Sequence, residues 1–182
     1  MSKKCLLSEC LKSTISKDET RPALMGVIHY SPLQALVSCN GTSLTVLKDH
    51  YRESLKDVII DVNAFVPMDG REYPRVESVF NPSRLKEANN FKTMTVHFTK
   101  FHTRKSAKKA ENTLTFFVDG TMSFDGESAS DQEIAFHLNS SFIKPLCIGQ
   151  DFKVYYTNSM SPVAFEIIAD RENYLVIMPI KL

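Results

Sequence analysis

The sequence predicts an α+β protein in which antiparallel sheets carry two or three short helices, and three observations predict it. Residues 151–182 hold three runs of apolar side chains separated by turn clusters, two of them alternating with period two. Asn40-Gly41 and Asp119-Gly120 each sit between two apolar runs, a strong local hairpin signal because such residues tolerate positive φ. Residues 5–16 place Leu6, Leu7, Cys10, Leu11 and Ile15 at spacings of three and four, the apolar stripe of an amphipathic helix.

The 182 residues form one domain, with 43% hydrophobic and 24% charged residues, ordinary for a chain that buries a core. A net charge of +1 gives no global pull toward nucleic acid or acidic lipid, so any such contact must be local. No apolar run is long enough to span a bilayer, and a membrane role is not expected. The basic start lacks an extended apolar region and a small-residue cleavage site, so no signal peptide is expected. Cys5, Cys10, Cys39 and Cys147 form no C-x-x-C pair and read as reduced, buried thiols of a cytoplasmic protein.

Taken in order, the helix over 5–16 leaves Lys12, Ser13 and Ser16 off its apolar stripe. Its polar face is either plain surface or, through Lys12, turned toward something anionic. Pro22 biases Arg21 toward extended backbone, so a strand is expected over 23–30, followed by strands over 33–38 and 43–47. Ser31-Pro32 and Asn40-Gly41 are the turns between them. A further strand is expected over 58–66. Asn81 and Pro82 supply an N-cap and a first-turn proline for a short helix over 82–88.

Residues 93–99 alternate as a strand. Lys100, Arg104, Lys105, Lys108 and Lys109 then form the one basic cluster, a solvated hairpin tip or a phosphate contact. Strands over 114–118 and 122–124 pair across Asp119-Gly120. Ile134, Phe136 and Leu138 alternate in another strand. Asn139 or Ser140 caps a helix over 142–147, which Pro145 should leave short, kinked or shifted. The chain closes with strands over 151–156, 163–167 and 174–180, the last apolar enough to be covered on both faces.

No constellation of catalytic residues stands out. The histidines lack metal-ligand spacing, the glycines form no phosphate loop, and Phe98, Phe101, Phe116, Phe117 and Phe124 suit core packing better than base stacking. The sequence reads as a binding protein, not an enzyme, with no cofactor and no metal.

Three segments resemble the bacterial sliding clamp, the β subunit of DNA polymerase III. The ending Tyr174-Leu-Val-Ile-Met-Pro-Ile-Lys-Leu182 is similar to clamp termini that close on Met-Pro-x-Arg-Leu. Asp18-Glu-Thr-Arg-Pro-Ala-Leu-Met-Gly-Val27 resembles the segment after a clamp domain's first helix. It is followed by a turn that keeps Gly41 and Leu44 but has Thr42 and Ser43 where the family has His and Arg. Met68 to Val79 resembles the segment leading from one clamp domain toward the next, with Tyr73-Pro74 replacing Phe-Pro. The resemblance covers 1–82 and 133–182 well and 83–132 poorly. A helix followed by three strands, seen near the start and again at the end, matches the half-domain unit of a clamp and divides the single unit at about residue 82.

The resemblance implies a DNA-clamp-like fold with short helices packed on one face of the sheets, and a processivity factor holding double-stranded DNA without base readout. It implies a partner-peptide groove for DNA polymerase or other clamp-motif proteins. One wall matches Val176, Met178, Pro179, Ile180 and Leu182, with Ser161 and Pro162 nearby; the other matches Gly41, Leu44 and Pro82. The same tail also suits an ordinary core strand. Lys12, Arg84, Lys86 and Lys144 are the residues expected at DNA, a clamp loader is a further possible partner, and a homo-oligomer is expected. A bacterial clamp has three domains and closes as a dimer, so this shorter chain either closes a ring with more copies or does not close. The alternatives are a non-ring, clamp-derived module that regulates replication, and a single-stranded DNA binder using the Lys100 to Lys109 cluster.

Overall fold

An eight-stranded antiparallel sheet forms the middle layer of the protein, in the order β4-β1-β2-β3-β11-β10-β9-β5. Its strands are β1 (Gly26–Tyr30), β2 (Ala35–Cys39), β3 (Ser43–Leu47), β4 (Ile59–Asp61), β5 (Lys92–Phe98), β9 (Gln150–Tyr156), β10 (Val163–Ile168) and β11 (Asn173–Ile177). A second sheet of three strands has the order β7-β6-β8: β6 (Thr113–Phe117), β7 (Met122–Phe124) and β8 (Ile134–Asn139). One α-helix, α1 (Lys3–Ser13), is present among the described residues. The computed structural model describes residues 3–86, 91–99, 112–124, 131–168 and 172–181.

β11 is central. It pairs with β3 on one side (Val176 opposite Leu44) and with β10 on the other (Val176 opposite Ala164), and all five of its residues are buried. Its side chains alternate between two cores. Leu175 and Ile177 enter one, with Leu6, Leu7 and Cys10 of α1, Phe116 and Phe136 of the small sheet, and Phe98, Phe152 and Phe165. Tyr174 and Val176 enter the other, covered by Tyr73, Val76 and Phe80 from the 66–86 segment. The Phe80 and Tyr174 rings meet edge-on at 5.3 Å. A strand covered on both faces has no polar side to show, which explains its unbroken apolar run.

α1 is fixed at its C-terminal end by hydroxyls of the sheet. Thr14 Oγ1 donates to Thr45 Oγ1 at 2.9 Å and contacts the Ser38 hydroxyl, while Thr45 Oγ1 donates to the Cys10 carbonyl at 3.1 Å. Ser38 Oγ donates to the Leu11 carbonyl at 3.2 Å. Thr14, Ser38 and Thr45 are fully buried, so their hydroxyls satisfy helix-end carbonyls that water does not reach. The helix over 5–16 is thus one turn shorter at its C-terminal end than expected, because Thr14 turns back on the Leu11 carbonyl instead of continuing the helix.

Other elements differ from expectation for local reasons. Pro22 begins a 3-10 helix, Pro22–Met25, so the strand expected from 23 starts at Gly26. Gln34, at φ 47°, ends the Ser31–Leu33 turn and delays β2 to Ala35. The strand expected over 58–66 stops at Asp61. The Asp61 carboxylate accepts the amides of Asn63 and Ala64, Phe65 adopts φ 56°, and Val66 and Met68 return along the outer edge of β4. The helices expected over 82–88 and 142–147 are short 3-10 helices, Pro82–Lys86 and Lys144–Leu146, and Pro145 occupies the first turn of the second. Asn81 caps the first by accepting the Ser83 amide at 3.0 Å. Ile134 is exposed while Ala135 is buried, since the β6–β8 register shifts between Phe116 and Phe117. The last strand ends at Ile177, not at residue 180.

Cys10 and Cys147 are buried free thiols whose pKa values burial raises to about 12 and about 11, which keeps them protonated. Phe98, Phe116 and Phe117 are core residues. No helix among the described residues is long and apolar enough to cross a membrane.

His29 Nδ1 accepts the Arg52 amide at 3.1 Å, and His137 Nδ1 lies 3.0 Å from Thr115 Oγ1. Burial lowers both pKa values below 6.5 in the folded chain. The unfolded chain therefore takes up these protons first, and the stability gained from neutral imidazoles is present above 6.5 and lost as pH falls below it. Urea midpoints should drop between about pH 7.5 and about pH 5.5, and His29→Asn should shrink that drop. A second outcome concerns the helix anchor: Thr14→Val should cost about 1–3 kcal/mol in the same titration at neutral pH, as buried carbonyls and hydroxyls lose their partner.

Candidate functional site

The β2–β3 hairpin begins the site. Asn40 Oδ1 accepts four hydrogen bonds from Thr42 and Ser43, at 2.8–3.1 Å, and Gly41 takes φ 91°. This rigid turn presents Gly41 and Leu44. β11 continues the wall: Val176 lies opposite Leu44, and the Met178 amide donates to the Thr42 carbonyl at 2.9 Å, one residue past the strand. Pro162 enters from the turn before β10.

The facing wall comes from 74–79. There Val76 is buried as an anchor, and the Tyr30 hydroxyl donates to Glu77, tying the segment to β1. Burial and that carboxylate push the Tyr30 pKa up to about 12. Leu24, from the Pro22–Met25 turn, closes one end.

These elements enclose an apolar groove of about 560 Å³ lined by Leu24, Cys39, Gly41, Leu44, Pro74, Val76, Val79, Pro162, Val176 and Met178, among others. Val79 is 49% exposed and Met178 36% exposed, so the groove opens to solvent through apolar side chains. The charged residues in its lining are Arg21 and Arg75. Such a lining suits an apolar segment and offers cations at its rim; among the described residues no nucleophile in it is paired with a base. No group of three metal-ligating side chains exists among the described residues.

Of the residues the sequence singled out, Gly41, Leu44, Pro162, Val176 and Met178 come together here. Ser161, Pro179 and Ile180 are half-buried neighbours outside the lining, and the Ile180 amide donates to the His137 carbonyl at 2.9 Å, drawing the tail toward β8. Pro82 is buried and does not line the groove; Val79 stands there instead. Leu182 lies outside the described residues. Sequence reasoning missed Leu24, Pro74, Arg75, Val76 and Val79. The signal was present, because Asp18 to Val27 and Met68 to Val79 were noted as clamp-like and given no site role.

The expected DNA residues separate. Lys12 is exposed in the last turn of α1, and Lys144 is exposed on the 3-10 helix that packs against α1. Arg84 is exposed on the Pro82–Lys86 helix, whose Leu85 packs on the other core, away from Lys12 and Lys144; the Lys86 side chain lies outside the described part of the structure. Lys100, Arg104, Lys105, Lys108 and Lys109 lie outside the described residues.

This fold is the sliding-clamp fold of DNA polymerase III β subunits. A Caulobacter crescentus (C. crescentus) β clamp with polyethylene glycol bound superposes with TM-score 0.67 at 16% identity, over 99% of this chain and 63% of that one. A Bartonella birtlesii sliding clamp bound to griselimycin gives 0.66 at 14%, over 99% and 64%. A Thermotoga maritima β subunit gives 0.63 at 18%, over 100% and 65%. The chain thus spans less than two thirds of the length of these clamps. No family model and no curated protein matches the sequence.

Gly41→Val tests the turn that shapes the groove. A side chain at φ 91° is strained, and its Cβ would come within 3.3 Å of Arg21 Nη1. The substitution should cost about 1–2 kcal/mol in urea denaturation.

Proposed function

We propose that this protein is a clamp-like processivity factor: a binding protein, not an enzyme, that holds double-stranded DNA without base readout and docks DNA polymerase or other clamp-motif proteins in the groove. The observation that carries the reading is the groove itself. Within a sliding-clamp fold, the ends of β3 and β11 and the 74–79 segment converge on an open apolar channel, and Met178 and Val79 remain exposed there. Exposed apolar side chains rimming a preformed groove are the pattern of a peptide-docking site. Methionine adds an unbranched, adaptable wall. Lys12 and Lys144, on neighbouring elements of one face, are the proposed phosphate contacts among the described residues. The proposed setting is a soluble replication assembly in the cytoplasm, with a homo-oligomer, and a clamp loader where a ring must be opened.

A second reading is a clamp-derived module that binds clamp-motif peptides without encircling DNA; it is favoured by the separation of Arg84 from Lys12 and Lys144, which leaves few cations on one face among the described residues. Light scattering on the eluting protein separates the two: a defined oligomer supports the ring, and a monomer at micromolar concentration supports the module.

The docking claim is common to both. Titration with a short polymerase-derived clamp-binding peptide should shift the NMR signals of Val176 and Met178, and Met178→Glu should weaken binding about tenfold or more by placing a charge against the apolar anchor. Unmoved signals at both residues would remove the groove assignment.

A further inference from the structure

The turn that ends β4 carries an unbroken run of exposed apolar side chains, Ala64-Phe65-Val66-Pro67. Phe65 is 82% exposed and Val66 50% exposed. Such a run is unfavourable in water unless a partner covers it. The turn itself is fixed. Asp61 Oδ1 accepts the amides of Asn63 and Ala64 at 2.7 and 2.9 Å, and the Asp61 carbonyl accepts the Phe65 amide at 2.9 Å. These bonds hold Phe65 at φ 56°, in the left-handed region that aromatic residues rarely occupy. The ring is therefore presented outward on an ordered backbone, and binding has little left to order.

Beside this tip lies a pocket of about 450 Å³ with apolar walls of Ile15, Met25 and Val62, the last from the same turn. A cavity of about 150 Å³ accepts a benzene ring, so the pocket has room for the Phe65 side chain and part of Val66. Lys12 and Lys17 are its charged lining, and among the described residues neither pairs with a carboxylate. The flanks of the tip are acidic: Asp61 is half-buried and Asp69 exposed. The amides of Ala64 and Asn63 hold the Asp61 carboxyl below its ordinary value, so it is charged at neutral pH.

We propose that this surface pairs with a second copy of the chain about a two-fold axis: Phe65 of each copy fills the Ile15, Met25 and Val62 pocket of the other, with Lys12 and Lys17 of one near Asp61 and Asp69 of the other. Knob and pocket adjoin on one surface, and a surface that carries both is self-complementary, as an isologous contact requires. Opposite charges at the rim set the register of the pair. An anionic lipid surface would receive the ring but would repel Asp61 and Asp69 and leave the pocket unfilled, so the acidic flanks favour protein. A stable interface takes about 800 Å² from each partner, more than the tip alone supplies, so the pairing is weak and reversible. The contact uses no residue of the groove, and a paired copy keeps its docking site. Lys12 is also a proposed phosphate contact, so a duplex and a second copy compete for it. The contact closes at two copies, which separates it from the heterologous contacts of a ring.

Sedimentation velocity of the full chain from about 1 to about 300 µM should show a monomer–dimer equilibrium with Kd about 10–100 µM. Phe65→Asp should weaken pairing about tenfold or more and should not lower the urea midpoint, because the side chain it removes is exposed. Lys17→Glu should weaken pairing about threefold at about 50 mM salt, and the difference should vanish at about 500 mM. On dilution the NMR signals of Ile15, Met25 and Phe65 should move together. A monomer at every concentration would overturn the inference, as would an oligomer that Phe65→Asp leaves intact. Phe65 signals that broaden with anionic lipid vesicles, in a chain that stays monomeric, would assign the tip to a membrane and overturn it too.

Discussion

The pairing of β11 with β3 and β10 is the constraint on which the structure depends. Five buried residues carry backbone donors and acceptors that water cannot reach, so each must be met by a neighbouring strand. The neighbours come from distant parts of the chain, β3 near its start and β10 just before β11. One short strand thus joins β1–β4 to β5, β9 and β10 in a single sheet, and its alternating side chains close two cores at once. The groove is a by-product of where this strand ends. Past Ile177 the chain keeps one more bond to the hairpin, Met178 to Thr42, and then leaves for β8, so an apolar edge stays uncovered.

The two faces of the sheet are finished in different ways. On one, α1, the Lys144–Leu146 turn and the small sheet cover a phenylalanine-rich core, and the Thr14, Ser38 and Thr45 hydroxyls set where the helix stops. On the other, the 66–86 segment has no α-helix or strand and is held by single anchors: Tyr73, Val76, Phe80 and the Tyr30–Glu77 bond. A wall made of anchors separated by exposed residues leaves space between them, and that space forms the groove. Lys12 and Lys144 therefore lie on the opposite side of the large sheet from the groove.

Much of this was legible in the sequence where local chemistry and tertiary packing agree. Asn40-Gly41 fixed the β2–β3 hairpin because its side-chain acceptor and positive φ act within four residues. The closing strand was legible because a strand buried on both faces is apolar nearly throughout, as Tyr174 to Ile177 are. The rest was hidden by competition. Pro22 suits either an extended start or a 3-10 turn, and tertiary contacts to Leu24 chose the turn. Asp61 sits in an apolar run that reads as strand, but its carboxylate captures the next amides and ends it. The second groove wall was not legible from local pattern, because Val76 and Val79 lie in a polar, proline-containing stretch without periodicity, and only the resemblance of Met68 to Val79 to a clamp segment pointed to it.

The central claim is that β11 makes one cooperative unit of both parts of the chain. Native-state hydrogen exchange on the amides of Val37, Thr45, Phe165 and Leu175 tests it most directly. The account predicts that all four exchange through the same, slowest opening, with one free energy and one denaturant dependence. Two distinct openings, one for β1–β3 and another for β9–β11, would contradict it and leave the groove as a seam between independent parts.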